Sequence, residues 1–259
     1  MTTESILLVG RDTDGRAALL ETHASRLRAR TDVDAVAVAT YDAEPGRELR
    51  RGFEDLRGDR VYAVPMTAAH THETTHGIPA ALSAVPGTVT YCEPVGASPA
   101  ITDVLAERGA TQVPPAADAS LVLVGFGSSS QPYQRRTADY HATRLREGTA
   151  YDTVLTCYLL QNPAVECVRY NVPTERAVAV PLFLGHSEAT QRRIPTALEL
   201  DRGGISYAEP LLDHAGVTDA IAAEVERQRA LGTDAHSDAF EASLTANSQP
   251  VATDGDGRP

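Results

Sequence analysis

The sequence contains no lysine: all 23 of its basic side chains are arginine, set against 35 acidic ones, for a net charge of −12. That balance excludes the clustered excess of cations needed to hold nucleic-acid phosphates. Long hydrophobic runs are missing as well. The longest, "LVLVGF" and "AVAVPLFLG", fall under half of a bilayer span, and the opening "MTTESILLVG" lacks a basic region. Neither a membrane helix nor a signal peptide is indicated, and a soluble, cytoplasmic protein is expected. Cysteine is scarce. Cys92, Cys157 and Cys167 lie far apart with no C-x-x-C, and read as small buried hydrophobes. No phosphate-binding glycine loop with its lysine occurs, so no nucleotide is expected.

Abundant Asp, Glu, Ala and Thr without Lys is the composition of salt-adapted (halophilic) proteins, whose carboxylate-rich surface keeps the chain hydrated; a GC-rich genome would also favour Arg over Lys. On the first reading, activity persists or rises in molar KCl. An enzyme fully active only at low salt would contradict it.

With 259 residues, 42% of them hydrophobic, the chain can bury one large core or two of ordinary size. An internal repeat favours two related halves. "TYCEPVGASPAITDVLAERG" at 90–109 is echoed by "SYAEPLLDHAGVTDAIAAEV" at 206–225, an offset of 116, which aligns Glu93 with Glu209 and Thr102 with Thr218. At the same offset "VYAVPMTAAHTHETTHGIPAAL" at 61–82 aligns without a gap to "AVAVPLFLGHSEATQRRIPTAL" at 177–198. Upstream, "LLVGRD" pairs with "VLVGFG" and "HASRLRAR" with "HATRLREG". The expected organisation is a module over 1–112, a second over 118–232, and a disordered tail over 233–259, which has no periodicity and few large apolar residues.

Each half alternates strand and helix. In the first, "SILLVG", "DAVAVAT", "RVYAVPM" and "GTVTYCEP" read as strands, separated by "RAALLETHASRLRAR" with helical apolar spacing, an exposed helix over "GRELRRGFEDLRG", and "IPAALSAV"; "PAITDVLAERG" closes the unit. Such alternation implies a parallel sheet with helices on both faces and ligands beyond the strands' C-terminal ends.

Within "MTAAHTHETTHGIP" at 66–79, residues 72–76 spell H-E-x-x-H. In zinc peptidases that motif sits inside a continuous helix, which gives both histidines one face. Here it directly follows a strand, and Gly77 and Pro79 come straight after His76, so a helix is not expected to pass smoothly through both histidines into a long continuation. The second half carries "HSEATQR" instead.

The order LLVG-turn, helix, strand, V-P-L-F-L with a loop His and I-P, then C-E-P-hydrophobic-G, resembles the sirohydrochlorin cobaltochelatase and ferrochelatase family, the class II chelatases, over residues 4 to about 228. The most specific parts are "VPLFLGHSEATQRRIP" and "YCEPVG". The resemblance implies a chelatase-like α/β fold of two pseudo-symmetric lobes, each with a four-stranded parallel sheet flanked by helices. It implies insertion of Co²⁺, or of Fe²⁺ or Ni²⁺, into sirohydrochlorin for cobalamin or siroheme synthesis, by a monomer of two lobes or a homodimer. The family's G-H-G-S histidine falls at Arg11 and at Phe126, and its second histidine at Glu73 and Ala189, unless a loop one residue shorter brings His72 there.

What remains is the loop, and its chemistry fits the task. Metal insertion removes two N–H protons from the macrocycle and delivers a desolvated cation, and neutral imidazole can do both. Imidazole suits Co, Ni, Fe and Zn alike. His70, His72 and Glu73 are the candidate catalytic residues, and His70, His72, His76 and His186 the candidate metal contacts. Sirohydrochlorin is an octacarboxylate, so Arg11, Arg135 and Arg136 are the candidate substrate-binding residues; Arg192 and Arg193 read as lying on a helix start. His23 and His141 are expected to pack or face solvent, His214 and His236 to lie on the surface, and Glu93 and Glu209 to orient loops through the backbone. Two other readings stand beside this one: a non-catalytic tetrapyrrole-binding or metal-carrying paralogue, and the zinc peptidase, which would need a third ligand beyond His76.

Overall fold

Along the strands, successive side chains enter different cores, because they point to opposite faces of a sheet. In the computed structural model, which describes residues 2–232 apart from 14, 54, 55 and 57, Ile6 and Leu8 of β1 (Glu4–Arg11) face one cluster and Leu7 and Val9 another. Both clusters are closed to water. That is why these strands read as unbroken apolar runs, as expected of a parallel sheet covered on both faces.

β1 pairs in parallel with β2 (Ala35–Tyr41) on one side and β3 (Arg60–Pro65) on the other, and β4 (Thr88–Tyr91) lies beyond β3. The second sheet repeats this order with β6 (Thr153–Tyr158), β5 (Ala119–Gly125), β7 (Arg176–Pro181) and β8 (Ile205–Tyr207), again all parallel. The expected pair of four-stranded α/β lobes is what the chain forms.

The lobes share one core. Leu20, Ala24 and Leu27 of α1 (Arg16–Arg30), Ile101 and Leu105 of α4 (Ala100–Gln112), Leu145 of α5 (Tyr133–Gly148) and Ile221 of α8 (Ala215–Gly232) belong to a single buried cluster with the inner faces of both sheets. On the outside, α2 (Pro45–Gly52) and α3 (Ile78–Leu82) cover the first sheet, and α6 (Val168–Asn171) and α7 (Ile194–Ala197) the second. α2 is shorter and less exposed than its sequence suggests. It stops at Gly52, and Leu49 and Phe53 are buried in the outer core.

Two buried histidines tie the halves together at equivalent places. His141 of α5 sets Nδ1 2.9 Å from Thr102 Oγ1 and Nε2 2.7 Å from the Gly96 carbonyl. Its counterpart His23 of α1 sets Nδ1 2.9 Å from Thr218 Oγ1 and Nε2 3.1 Å from the Leu212 carbonyl. Because a carbonyl only accepts, Nε2 carries the proton in each ring and Nδ1 accepts from the threonine hydroxyl. Each histidine thus reaches from one half into the other, and neither faces solvent. Burial, the main cause, pushes both imidazoles below their ordinary pKa.

Cys92 and Cys157 are buried as expected, and burial pushes the Cys157 thiol up to about 12. Cys167 departs from expectation: it is exposed, because it ends a short 3₁₀ turn (Val165–Cys167) on the outer surface. Among the described residues no helix is long and apolar enough to cross a membrane. The expected disordered tail lies outside the described residues.

Candidate active site

In the first sheet the chain leaves β1 toward β2 on one side and later returns to β3 on the other, so the connections diverge between β1 and β3. Ligands of open parallel sheets bind at such a point, beyond the C-terminal strand ends. Arg11 ends β1, and the histidine loop follows Pro65, the last residue of β3.

The helix that begins in this loop runs through both histidines of the H-E-x-x-H stretch only by way of a widened turn and, as expected from Gly77 and Pro79, has no long continuation. Backbone angles at His72, Gly77 and Ile78 are all helical, and residues Glu73–Gly77 form a π turn in which the Ile78 N–H reaches the Glu73 carbonyl. Pro79 has no N–H to give Thr75 and its ring would strike that carbonyl; the widened turn removes the conflict. The continuation is short and ends at Leu82. His72 and His76 therefore share a face, their rings stacked at 4.7 Å between centroids and 14° between planes. Both are exposed. His76 Nδ1 lies 2.9 Å from Thr75 Oγ1, which leaves its Nε2 turned outward.

His70 stands apart from that pair. Its Nε2 is 3.1 Å from Glu93 Oε2, beyond the end of β4, and its Nδ1 is 3.2 Å from Thr74 Oγ1. The hydrogen bond from His70 is the main cause that holds the Glu93 carboxyl below its ordinary range. Glu93 is itself fixed from the other lobe, because its backbone N–H donates to Glu224 Oε1 of α8 at 3.0 Å. Tyr133, at the start of α5, meets the His70 ring edge-on at 5.6 Å.

Glu73 takes a hydrogen bond from the Thr71 hydroxyl at 2.7 Å. Partial burial would raise its pKa, but this bond, a backbone N–H and the charges of Arg11 and His72 outweigh it and hold the carboxyl low. Beside it, burial first and then Glu73 push the Tyr41 hydroxyl up to about 12. Arg11 is oriented by its Nε donating to the Asp42 carbonyl at 2.6 Å.

The second lobe repeats the frame and changes the contents. His186 faces Glu209 at 3.5 Å, matching His70 and Glu93. The Ser187 N–H donates to Thr190 Oγ1 at 2.9 Å as Thr71 does to Thr74 at 2.8 Å, and Ala189–Arg193 form the same π turn. Yet Glu188, Ala189 and Arg192 occupy the places of His72, Glu73 and His76.

Of the residues named from sequence, the fold gathers Arg11, His70, His72, Glu73 and His76 at one end of the first sheet. It keeps His186 in the other lobe, where it borders a cleft with Arg16 and Leu19 of α1. Among the described residues no three His, Cys, Asp or Glu side chains are poised together to hold a metal ion. Arg135 and Arg136 lie in the first turn of α5, and Arg135 pairs with Asp139 at 3.7 Å. Glu93 and Glu209 were expected to bind backbone; their carboxylates meet histidines instead. The common spacing of 23 residues in His70–Glu93 and His186–Glu209 was the available signal. Glu224 and Tyr133 had none, since both arrive from the other half.

Comparison with known families decides what this frame is. The family model CbiX matches the chain twice, over residues 5–112 and 120–228. The chain belongs to the CbiX family. Its curated relatives include a "Probable sirohydrochlorin cobaltochelatase" of Halobacterium salinarum, 26% identical over 201 residues, covering 67% of this chain and 68% of that one. A "Sirohydrochlorin ferrochelatase" of Priestia megaterium is 35% identical over 120 residues, covering 43% of this chain and 45% of that one. Among solved structures, a Deinococcus radiodurans multi-domain protein described as structurally similar to chelatases superposes with a TM-score of 0.72 at 20% identity, over 86% of this chain. This chain spans 55% of that protein's length, and a likeness at such identity speaks for the fold alone. In CbiX terms, both family matches end in the helices, α4 and α8, that build the shared core.

Proposed function

We propose that this chain inserts Co²⁺ or Fe²⁺ into sirohydrochlorin without a nucleotide, and that the first lobe carries the chemistry. The observation that carries the reading is the His70–Glu93 pair at the divergence point of a CbiX sheet, with the stacked His72 and His76 beside it. The names of the two curated relatives supply the macrocycle and the two metals.

His70 is the proton acceptor in this reading. Glu93 takes the Nε2 side and offsets the positive charge that develops on the ring, and the Nδ1 side exchanges Thr74 for a pyrrole N–H. Thr74 loses little, because its hydroxyl keeps the Thr71 carbonyl at 3.1 Å. His72 and His76 are exposed and offer two exchangeable nitrogen donors for an incoming cation. Glu73, held ionised, adds the charge that favours a cation there. Arg11 meets a substrate carboxylate.

One feature favours the carrier reading instead: Arg11, tethered to the Asp42 carbonyl, stands where the family's G-H-G-S histidine falls. An anaerobic absorbance assay with sirohydrochlorin and Co²⁺ or Fe²⁺ separates the two. Insertion faster than the uncatalysed rate, and slowed in the double variant His72→Ala, His76→Ala, is the expected result. Binding of the macrocycle at the background rate would leave a carrier.

A further inference from the structure

The two π turns are superimposed in design and opposed in chemistry, and the difference has a shape. In the first lobe α2 closes directly on the turn: a side-chain carbon placed on Gly77 would lie 2.6 Å from Pro45 Cγ. In the second lobe Arg193 stands in the place of Gly77, and the π turn, α7, α6 and the segment leading into α6 border an open cavity of about 660 Å³. Leu159, Glu166, Tyr170, Glu188, Arg192 and Arg193 line it.

The charges in this cavity are not all spent. Glu188 is paired with Arg192, and Glu199, also on the wall, with Arg169 and Arg202. Arg193 has no carboxylate partner among the described residues. Its guanidinium lies over the Phe126 ring, 5.8 Å from the centroid, a contact that holds the planar fork in place. Tyr170, on the cavity wall, is 84% exposed, so its ring face is open to a ligand. A free guanidinium supported on an aromatic face, a second arginine one residue away and an uncovered tyrosine suit a flat apolar body edged with carboxylates. Glu166, the remaining carboxylate, suits a body that also bears N–H donors.

We infer that the second lobe is a separate binding pocket for a polycarboxylate tetrapyrrole, which holds a second macrocycle while the first lobe carries out insertion. The inference rests on the proposed function for the identity of the macrocycle, though not for the existence of the pocket. The repeated frame has divided the work: in the first lobe His70 takes protons and His72, Glu73 and His76 meet the metal, whereas in the second lobe Arg192 and Arg193 on the cavity wall meet carboxylates. The cavity lies within the size range of small-molecule sites, and the ring would sit with one face in solvent.

The test is equilibrium titration of the full chain with uroporphyrin, a metal-free octacarboxylate tetrapyrrole, read by absorbance and by sedimentation. Two molecules per chain are expected. The double variant Arg192→Ala, Arg193→Ala is expected to bind one with unchanged affinity and the other about tenfold more weakly or not at all. Tyr170→Ala is expected to weaken the same site. All these side chains are exposed, so the variants keep the fold, and their initial rate of metal insertion should equal that of the natural chain. A single site in the natural chain, or a second site indifferent to the arginine pair, would overturn the inference. Two sites with the expected loss, in a protein that inserts no metal, would instead refute the proposed function and leave the pocket standing.

Discussion

Replacing His70 by Ala is expected to lower the rate of metal insertion by about a hundredfold to ten-thousandfold, the range a positioned general base contributes. Substrate affinity is expected to change little, because the proposed role of the ring is on the proton and not on the carboxylate rim. Glu93→Gln keeps the shape and a hydrogen-bonding partner but removes the charge behind the ring, and is expected to cost about tenfold to a hundredfold, as loss of a carboxylate behind a working histidine does. His186→Ala is the informative comparison. It removes the same kind of residue, facing the same kind of carboxylate, from a lobe that lacks counterparts of His72, Glu73 and His76. It should keep most of the rate. Equal losses from His70→Ala and His186→Ala would mean that the two lobes contribute alike, and the assignment of the chemistry to the first lobe would fall.

Acid should loosen the junction between the lobes, and this is the second large effect. His23 and His141 are neutral in the fold, and burial sets their pKa below the ordinary value, opposed by their carbonyl hydrogen bonds and, at His23, by Asp213, and assisted by nearby Arg26 and Arg144. The unfolded chain therefore binds these two protons at a higher pH than the folded chain does. The stability they contribute is complete above the unfolded imidazole value, about 6.5, and declines as pH falls below it, by up to about 1.4 kcal/mol per pH unit for each ring until its folded value is reached. Urea denaturation between pH 7.5 and 5.0 measures the slope. His141→Ala leaves the Thr102 hydroxyl and the Gly96 carbonyl without their buried partner, and costs about 2–4 kcal/mol at pH 7.5. The variant should also show a flatter dependence on pH. An unchanged slope would mean that carboxylates, not the interlobe histidines, govern the acid limb.

Much of this was legible before any fold was drawn. β1 runs as one strand over Glu4–Arg11 because "SILLVG" is apolar on both faces, and α1 covers the whole of "RAALLETHASRLRAR", whose apolar spacing is helical. The histidine loop was legible for a similar reason: it follows directly after a strand end, where parallel sheets place their sites. The details that were misjudged share one physical cause, which is that they depend on neighbours distant in sequence. "GRELRRGFEDLRG" looks exposed, but Leu49 and Phe53 have an outer core to enter. Cys167 looks like a core residue, but its 3₁₀ turn buries Val165 and leaves Cys167 exposed.

The sequence by itself determined the repeat, the order of strands and helices and the enrichment of the first half in loop histidines, because periodicity and residue type act locally. Only the tertiary structure decided which side chains work together. Glu93 reaches His70 because β4 lies beside β3, and Glu224 reaches Glu93 from a segment 131 residues away because α8 packs into the shared core. His23 and His141 became interlobe ties for the same reason. Each is an ordinary helix residue until the other half brings a threonine and a carbonyl to its two nitrogens.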